Sequence, residues 1–269
     1  MPFSIATWNI NSVRLRLPLV EAFLAEHQPD VLCLQETKCP NDAFPFKRLR
    51  KLGYEHIVAH GQKGYHGVAT LSRTPILAEE RMDYGDVGHA RHASVVIAAG
   101  VKKIRLHNFY VPAGGDVPDP AVNPKFAHKL AYLDEMRLLH SERERADGIS
   151  SILVGDLNIA PLETDVWSHR QLLKVVSHTP IETDGLKDVQ SKGAWVDLVR
   201  RHIPPEEKIF TWWSYRARDW EASDRGRRLD HIWSSADLAG DLTGIDVLRA
   251  ARGWERPSDH VPVIARFGL

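Results

Sequence analysis

Strand-like apolar runs recur along this chain, but amphipathic helices separate only some of them. Residues 17–27 and 126–140 carry apolar side chains at helical spacing, which predicts a helix over each range. Other strand-like runs follow one another after short turns. A fully parallel doubly wound sheet needs a long crossover between its strands, so this mixture favours two sheets packed face to face with helices outside.

The predicted strands are short runs of apolar and β-branched residues bounded by turn residues. They cover residues 31–34, 67–71, 93–98, 104–111, 152–154, 229–233 and 261–267, and a further strand is expected before Asn9. No linker or fixed-period repeat divides the chain, and a hydrophobic content of 43% is enough to bury a large core. We therefore expect a single α/β domain over residues 1–269.

Charge and cysteine content restrict the classes of protein that remain. The chain has 35 Lys and Arg against 35 Asp and Glu, so it lacks the overall basic field that alone would indicate a nucleic-acid binder. Cys33 and Cys39 match no disulfide framework or zinc pattern and favour a reducing compartment. No apolar stretch approaches the roughly 20 residues of a membrane span, and the N-terminal pattern is not that of a signal peptide. We expect a cytoplasmic protein without a membrane partner.

The tetrapeptide Gly155-Asp156-Leu157-Asn158 follows the predicted strand 152–154, where α/β proteins place ligand-binding side chains. If the chain stays extended there, Asp156 and Asn158 point to the same side, so one can take a proton while the other holds an oxygen atom. The alternative for Asp-x-Asn after a strand is a turn that caps the next helix. The motif alone leaves both interpretations open.

Polar side chains also stand at the ends of the other predicted strands. The full set is Asn9, Glu36, Tyr110, Asp156, Asn158, Asp230, Asp259 and His260. Each of them singly has an ordinary alternative as a turn residue, a helix cap or a packed side chain. Together, carboxylate and amide groups from several strands could converge, and such hard oxygen ligands favour Mg²⁺ or Mn²⁺ over Zn²⁺. A histidine beside them makes a phosphate site plausible.

Seven segments, in this order, resemble the exonuclease III type of apurinic/apyrimidinic endonuclease, within the endonuclease/exonuclease/phosphatase superfamily. They are Thr7-Trp8-Asn9-Ile10-Asn11, Leu34-Gln35-Glu36-Thr37-Lys38, Gly67-Val68-Ala69, Asn108-Phe109-Tyr110-Val111-Pro112, Gly155-Asp156-Leu157-Asn158, Arg228-Leu229-Asp230 and Ser258-Asp259-His260. The resemblance covers essentially the whole chain. It implies a four-layer α/β sandwich, in which two packed mixed β-sheets are flanked by helices.

The resemblance also implies an activity and its partners. The implied activity is that of a DNA phosphodiesterase of base-excision repair, which incises 5′ to abasic sites and removes nucleotides or blocking groups from 3′ ends. Its implied partner is duplex DNA with abasic sites or 3′ ends, and its implied cofactor is Mg²⁺, for which Mn²⁺ can substitute. A monomer is expected. A superfamily phosphatase acting on a small phosphate ester and a catalytically inactive DNA-binding module are the alternative classes.

Roles at the reaction centre are carried over from the resemblance by motif. Glu36 resembles the main metal ligand, with Asn9 beside it and Asp259 as an additional ligand. The implied catalytic residues are Tyr110, Asp156, Asn158, Asp230 and His260. Among these, Asp156 resembles the group that aligns or deprotonates the attacking water, and Asn158 fixes its orientation. Asp230 orients His260, which contacts the phosphate together with Tyr110.

Two segments resemble the DNA-contacting parts of the family. One is the loop 62–67, which contributes Lys63, and the other is the segment 212–220, where aromatic and guanidinium groups interleave as stacking and phosphate pairing require. The implied substrate-binding residues are Lys63, Trp212, Arg216 and Arg227. Packing in the core is the alternative for Trp213 and Trp220.

The chain departs from the family pattern at several positions of the implied DNA-binding face. Asp224 stands where the family usually has Asn, and we expect it to pair with Arg225 or Arg227. Arg227 itself stands where a bulky apolar or aromatic residue is common. Ala113 replaces a polar residue, and Asp116 stands where a basic one sometimes occurs. These departures leave open the balance between abasic incision and 3′ exonuclease activity.

Overall fold

The computed structural model describes residues 3–139 and 147–269. The strands are β1 (Phe3–Asn9), β2 (Val31–Gln35), β3 (His56–His60), β4 (Val68–Ser72), β5 (Ile76–Glu80), β6 (His92–Ala99), β7 (Lys102–Tyr110), β8 (Ser150–Asp156), β9 (Val196–Asp197), β10 (Trp212–Trp213), β11 (Gly226–Arg227), β12 (Asp230–Ser234), β13 (Leu242–Val247) and β14 (Val263–Phe267). The helices are α1 (Leu17–His27), α2 (Phe46–Arg50), α3 (Pro124–Met136), α4 (His169–Leu172), α5 (Pro180–Lys192), α6 (Leu198–His202), α7 (Trp220–Ser223) and α8 (Ala236–Ala239). Short 3₁₀ turns cover Asn41–Ala43, Glu163–Asp165 and Arg249–Gly253.

Two six-stranded sheets form the centre of the molecule. The first has the strand order β13-β14-β1-β2-β4-β3 and the second the order β5-β6-β7-β8-β12-β9, while β10 and β11 form a separate two-stranded ribbon. Both large sheets are mixed, because β1 runs parallel to β2 and β7 parallel to β8, whereas their other neighbours are antiparallel. The prediction of two mixed sheets with helices outside is confirmed.

The inner strands bury both of their faces. In β1 and β2, Ile5 and Cys33 belong to the core between the two sheets, whereas Ala6 and Leu32 pack with Phe23 of α1 on the other side. Because alternate residues of a strand point to opposite faces, a strand covered on both sides must be apolar at nearly every position. Burying a large apolar side chain contributes roughly 1.5–3 kcal/mol, so these strands dominate the stability of the sheets.

Helices α3 and α5 cover the outer face of the second sheet, where Tyr132 and Leu186 pack in one cluster with Leu153. Asn123 caps α3 by accepting a hydrogen bond from the backbone N–H of Lys125, and a proline follows the cap. The helix therefore starts two residues before the predicted 126. It ends at Met136, and residue 140, the predicted end, lies outside the described residues. In the two described ranges, no helix has the length and apolar character needed to cross a membrane.

Candidate active site

The topology brings the polar strand ends to one edge of the molecule. Tyr110 at the end of β7 lies opposite Asp156 at the end of the parallel strand β8, and Asp230 at the start of the antiparallel strand β12 also lies opposite Asp156. Asn9, at the end of β1, lies opposite the last residue of β2, and Glu36 follows directly. Residues opposite each other on neighbouring strands are close in space, so each sheet presents a polar row at this edge.

The segment before β14 adds His260 to this edge. Ser258 fixes the segment, since its hydroxyl donates to the backbone oxygen of Asn9 at 2.7 Å. The indole nitrogen of Trp8 donates to the backbone oxygen of His260 at 3.1 Å. His260 also forms an isolated β-bridge with Trp212, which connects this edge to the β10–β11 ribbon.

Asp156 lies at the centre of the site, and both of its carboxylate oxygens accept hydrogen bonds. Oδ2 accepts hydrogen bonds from the side-chain amides of Asn9 at 2.8 Å and Asn158 at 3.1 Å, and Oδ1 accepts from the backbone N–H of Asn158 at 2.9 Å. Burial raises the pKa of Asp156 to about 7, although the nearby His260 lowers it. The carboxylate is therefore fixed in direction and poised to exchange a proton near neutral pH.

The chain turns after β8 instead of staying extended. Asn158 has φ of 54° and donates its backbone N–H to the Asp156 side chain, so the extended alternative for Asp156-Leu157-Asn158 does not hold. The turn alternative describes the backbone, but no helix follows directly. The two side chains still meet, because the turn folds Asn158 back over Asp156. Glu36 also has φ of 54°, and left-handed backbone in residues other than glycine is typical of functional sites.

Asp230 orients His260. The Nδ1 atom of His260 lies 2.8 Å from Oδ2 of Asp230, and Nε2 lies 3.7 Å from Oδ2 of Asp156. Burial opposes charge on the imidazole, but Asp230 and Asp156 outweigh burial and raise the pKa of His260 to about 10. At neutral pH the ring is therefore a cation, with one N–H held by Asp230 and the other directed towards Asp156.

Glu36 and Tyr110 lie beside this group. The carboxylate of Glu36 is 2.8 Å from Nζ of Lys38 and accepts a hydrogen bond of 3.0 Å from the side chain of Asn9. The hydroxyl of Tyr110 lies close enough to Glu36 for the carboxylate to act on its pKa. Burial raises the pKa of Tyr110 well above its usual value, and the charges of Glu36 and Asp156 act in the same direction. Tyr110 therefore remains a protonated hydrogen-bond donor.

Asp259 is joined to the site through Asn11, which is not among the site residues predicted from the sequence. Asn11 donates its amide to Asp259 at 3.1 Å and its backbone N–H to Oδ1 of Asn9 at 3.0 Å, while its own side-chain oxygen accepts from Lys38 at 2.7 Å. Burial opposes ionisation of Asp259, but His260 and hydrogen bonds from Asn11 and Trp212 outweigh it and lower the pKa. Asp259 is therefore a carboxylate at neutral pH.

The donor chemistry of this edge fits a hard divalent cation. Glu36 and Asp259 offer carboxylate oxygens, which such ions prefer. Asn9 turns its NH₂ group towards Glu36 and Asp156, so in this arrangement it holds the two carboxylates together. Ligand atoms of Asp156, Asp230 and His260 also lie within 4.8 Å of one another. Because protonated His260 already supplies positive charge to that second group, the Glu36 side is the better place for a cation.

An open cleft of about 650 Å³ starts at these residues. Glu36, Tyr110, Asp156, Asn158, Asp259 and His260 line one part of it, and Trp212, Arg216 and Arg227 line another. Asn9 and Asp230 are fully buried behind the lining. Ala113 and Asp116 contribute to the wall of the cleft, whereas Lys63 is exposed and does not line it.

The β10–β11 ribbon forms the aromatic side of the cleft. Trp212 donates its indole N–H to Asp259 at 2.9 Å, and the guanidinium of Arg227 lies 5.2 Å from the centre of its ring. Trp167 also lines the cleft, although it is not among the site residues predicted from the sequence. The guanidinium of Arg225 lies 4.8 Å from its ring centre. Aromatic faces covered by guanidinium groups offer both stacking and positive charge.

Asp224 does not position the neighbouring arginines as expected. Its carboxylate accepts hydrogen bonds from the indole of Trp213 at 2.9 Å and from Arg249 at 2.8 Å. The residue ends α7 in a left-handed conformation, which directs its side chain away from Arg225 and towards Trp213. Trp213 is buried, so the core interpretation holds for this tryptophan.

Arg228 is a buried structural residue rather than a partner of Asp230. It forms ion pairs with Asp165 at 2.7 Å and Asp197 at 2.8 Å. Asp197 also caps α6, because its side chain accepts a hydrogen bond of 3.1 Å from the backbone N–H of Arg200. Because Arg228 is occupied by these two carboxylates, Asp230 is left to orient His260.

Lys129 and Glu182 form a fully buried ion pair behind the cleft, with 2.5 Å between their charged atoms. Lys129 also donates to the backbone oxygens of Asn158 at 2.9 Å and Ala113 at 3.3 Å. Glu182 accepts the backbone N–H of Ser177 with both of its oxygens, each at 2.9 Å. The pair therefore ties together three segments that line the cleft.

We expect Lys129→Met to destabilise the protein by about 3–5 kcal/mol, because it leaves the Glu182 carboxylate buried without a counterion. Urea unfolding followed by circular dichroism measures this change. Lys187→Met is the matched control, since Lys187 makes an exposed 3.4 Å pair with Asp184 in the same helix as Glu182. If both variants change the free energy of unfolding by the same small amount, the pair does not hold these segments together.

Two packed mixed sheets with a cleft of carboxylates, a tyrosine and a histidine at their shared edge define a class of phosphoester-cleaving proteins. The chain belongs to this class, the endonuclease/exonuclease/phosphatase family, whose family model matches residues 6–260. It is similar to exodeoxyribonuclease III of Haemophilus influenzae, with 31% identity over 270 residues that cover 97% of this chain and 98% of the relative.

Solved structures show the same similarity. The AP endonuclease from Archaeoglobus fulgidus aligns with a TM-score of 0.89 and 32% identity, and the match covers 99% of this chain and 100% of that chain. The 3′ phosphatase NExo from Neisseria, solved bound to a product DNA hairpin, aligns with a TM-score of 0.89 and 31% identity over the same shares of the two chains. The four-layer α/β sandwich implied by the sequence motifs is confirmed.

Proposed function

We propose that this protein is a metal-dependent DNA phosphodiesterase of base-excision repair that incises 5′ to abasic sites and processes the 3′ ends of duplex DNA. Its similarity to an exodeoxyribonuclease III and to an AP endonuclease supports this activity. The observation that carries the proposal is the position of the Asp156 carboxylate. Both of its oxygens accept hydrogen bonds, and Oδ2 lies 3.7 Å from Nε2 of His260. Three arginines line the same cleft. Such a cleft offers a base, an acid and phosphate contacts together.

Glu36 and Asp259 would hold the metal, with Asn9 beside them once its amide oxygen is turned towards the ion. We propose Mg²⁺, for which Mn²⁺ can substitute, because the donors are carboxylate and amide oxygens. When bound, the metal neutralises a phosphate oxygen and the departing 3′ oxygen. Lys38 lies 2.8 Å from the Glu36 carboxylate on the same side of the site.

Asp156 acts on the attacking water. The hydrogen bonds from Asn9 and Asn158 fix the carboxylate in one orientation, so its remaining acceptor capacity is directed into the cleft. It aligns the water and takes its proton as the oxygen bonds to phosphorus. The bond between phosphorus and the 3′ oxygen breaks, and that oxygen takes a proton from solvent water and leaves as a hydroxyl.

His260 and Tyr110 contact the phosphate while its negative charge increases. His260 is a cation at neutral pH and needs no rearrangement, because Asp230 already holds its other nitrogen at 2.8 Å. Tyr110 stays protonated and donates its hydroxyl. Donors fixed before the reaction stabilise the transition state more than donors that must first reorient.

DNA binding depends on one face of a neutral molecule. Arg216, Arg225 and Arg227 line the cleft, and Lys63 lies exposed on its loop, where it can contact a phosphate outside the cleft. Trp212 forms the wall against an extruded sugar. We propose that a single domain acts as a monomer, because all these groups belong to one chain.

Comparing three substrates tests the proposed function: a duplex with one abasic site, an undamaged duplex with 3′ ends, and a small phosphate monoester. We expect kcat/KM for the two duplexes to exceed that for the ester by at least about 100-fold, since binding energy from the DNA lowers the barrier at the phosphate. Protein with Asp156→Asn, purified in the same way, controls for contaminating nucleases. Equal activity on the ester and on DNA would identify a phosphatase instead.

A further inference from the structure

No carboxylate within residues 3–139 and 147–269 forms an ion pair with the guanidinium of Arg227. Its Nε atom is buried and has no hydrogen-bond partner in the same ranges. Burial lowers the pKa of Arg227, opposed only by the charge of Glu182. A largely buried guanidinium normally has a carboxylate or phosphate beside it. Since Arg227 lines the cleft, the missing anion can come from a ligand there.

Arg227 is also held in place. Its Nη1 atom donates to the backbone oxygen of Val176 at 2.9 Å and to the hydroxyl of Ser177 at 2.7 Å, and its guanidinium lies against Trp212. Ser177 is itself fixed by Glu182 through its backbone N–H. A guanidinium that is fixed beforehand loses little conformational freedom when it binds an anion.

The distance between Arg227 and His260 limits the size of that anion. Trp212 pairs with Arg227 on one side and with His260 on the other, so the backbones of Arg227 and His260 are two strand spacings, or roughly 10 Å, apart. Both side chains line the same cleft. A phosphate held at His260 that carries an extension of about two carbon atoms would bring a terminal group to Arg227.

We infer that Arg227 and Trp212 form a subsite for a carboxylate carried by a short fragment on the 3′-terminal phosphate of DNA, as in a 3′-phosphoglycolate end. The inference rests on the proposed function and names the class of 3′ block that this cleft prefers. The planar guanidinium matches a carboxylate and offers it two N–H donors. Water bonds to phosphorus and gives a proton to Asp156, the bond to the 3′ oxygen breaks, that oxygen takes a proton from solvent water, and phosphoglycolate leaves.

Two duplexes that differ only in the terminal group test the subsite. One ends in 3′-phosphoglycolate and the other in a 3′-(2-hydroxyethyl) phosphate, which has the same length but no carboxylate. We expect the wild-type protein to favour the carboxylate end in kcat/KM by about tenfold or more, the effect typical of a hydrogen bond to a charged group. Arg227→Gln should bring the ratio close to one, and Arg227→Lys should give an intermediate ratio.

Arg225→Gln is the matched control, because Arg225 lines the same cleft but lies over Trp167. It should lower activity on both ends in equal proportion. A ratio that is the same in wild type and Arg227→Gln would overturn the subsite. Each protein is also assayed on an internal abasic duplex: if that duplex is cleaved while the ratio stays unchanged, the subsite alone fails. If the wild type cleaves no DNA, the subsite and the proposed function fail together.

Discussion

Asp156→Asn is expected to lower kcat by about 10²–10⁴-fold, the usual contribution of a general base, while DNA binding stays close to that of the wild type. The substitution removes the negative charge to which Asn9 and Asn158 both donate hydrogen bonds beside His260, and it leaves Arg216 and Arg227 in the cleft. Single-turnover cleavage of an abasic duplex measures the chemical step. Fluorescence anisotropy with the same duplex measures binding.

Asp197→Asn is a suitable control for this experiment. Asp197 is also a carboxylate in an ion pair, with Arg228 at 2.8 Å, but it does not line the cleft. We expect the control to lower the free energy of unfolding while kcat changes little. Near-normal kcat in Asp156→Asn would remove Asp156 from the role of base.

Complete removal of divalent metal is expected to abolish cleavage, and added Mg²⁺ or Mn²⁺ should restore it. Glu36→Gln should raise the metal concentration for half-maximal activity by about tenfold or more, because it replaces the proposed main carboxylate ligand by a neutral amide. Titration of each metal into chelator-treated protein, with cleavage of an abasic duplex as the readout, measures this value.

Lys38→Met tests whether the effect of Glu36→Gln comes from the loss of a metal ligand or only from the loss of a charged group. Lys38 lies 2.8 Å from the Glu36 carboxylate and competes with a cation for it. Its removal should therefore lower the metal concentration required, the opposite sign to Glu36→Gln. Full activity after exhaustive chelation, or the same sign for the two variants, would contradict a metal site at Glu36.

The sequence predicted the inner strands of both sheets and missed the edges. In the two six-stranded sheets, the four strands without a prediction are β3, β5, β9 and β13, and each is an outermost strand of its sheet. An edge strand has one neighbour and needs no continuous apolar run; in β5, four of the five residues are exposed. β9 has only two residues and leaves no period to detect. Inner strands are buried on both faces and therefore carry the continuous apolar runs that allow their prediction. Outer strands lack such runs and were not predicted.

The strand-end residues could be found because parallel strands and their antiparallel neighbours bring particular chain positions to one edge. The hydrogen bonds that these residues form could not be predicted from the sequence. Asn11 follows the predicted Asn9 by two residues, yet its contact with Asp259 depends on left-handed backbone at φ of 45°. Lys129 and Glu182 are far apart in sequence and belong to different helices, so only packing shows that they meet. The hydrogen bond between Arg249 and Asp224 likewise depends on packing that the sequence does not show.

The most direct test of the proposed chemistry is a single-turnover cleavage of an abasic duplex in water enriched in ¹⁸O, with both strand fragments analysed by mass spectrometry. Attack of water on phosphorus with departure of the 3′ oxygen predicts one ¹⁸O atom in the 5′-terminal phosphate of the fragment that carries the abasic sugar. The other fragment should end in an unlabelled 3′ hydroxyl. An unlabelled phosphate together with an unsaturated sugar at the 3′ end, as elimination would produce, would contradict hydrolysis at this site.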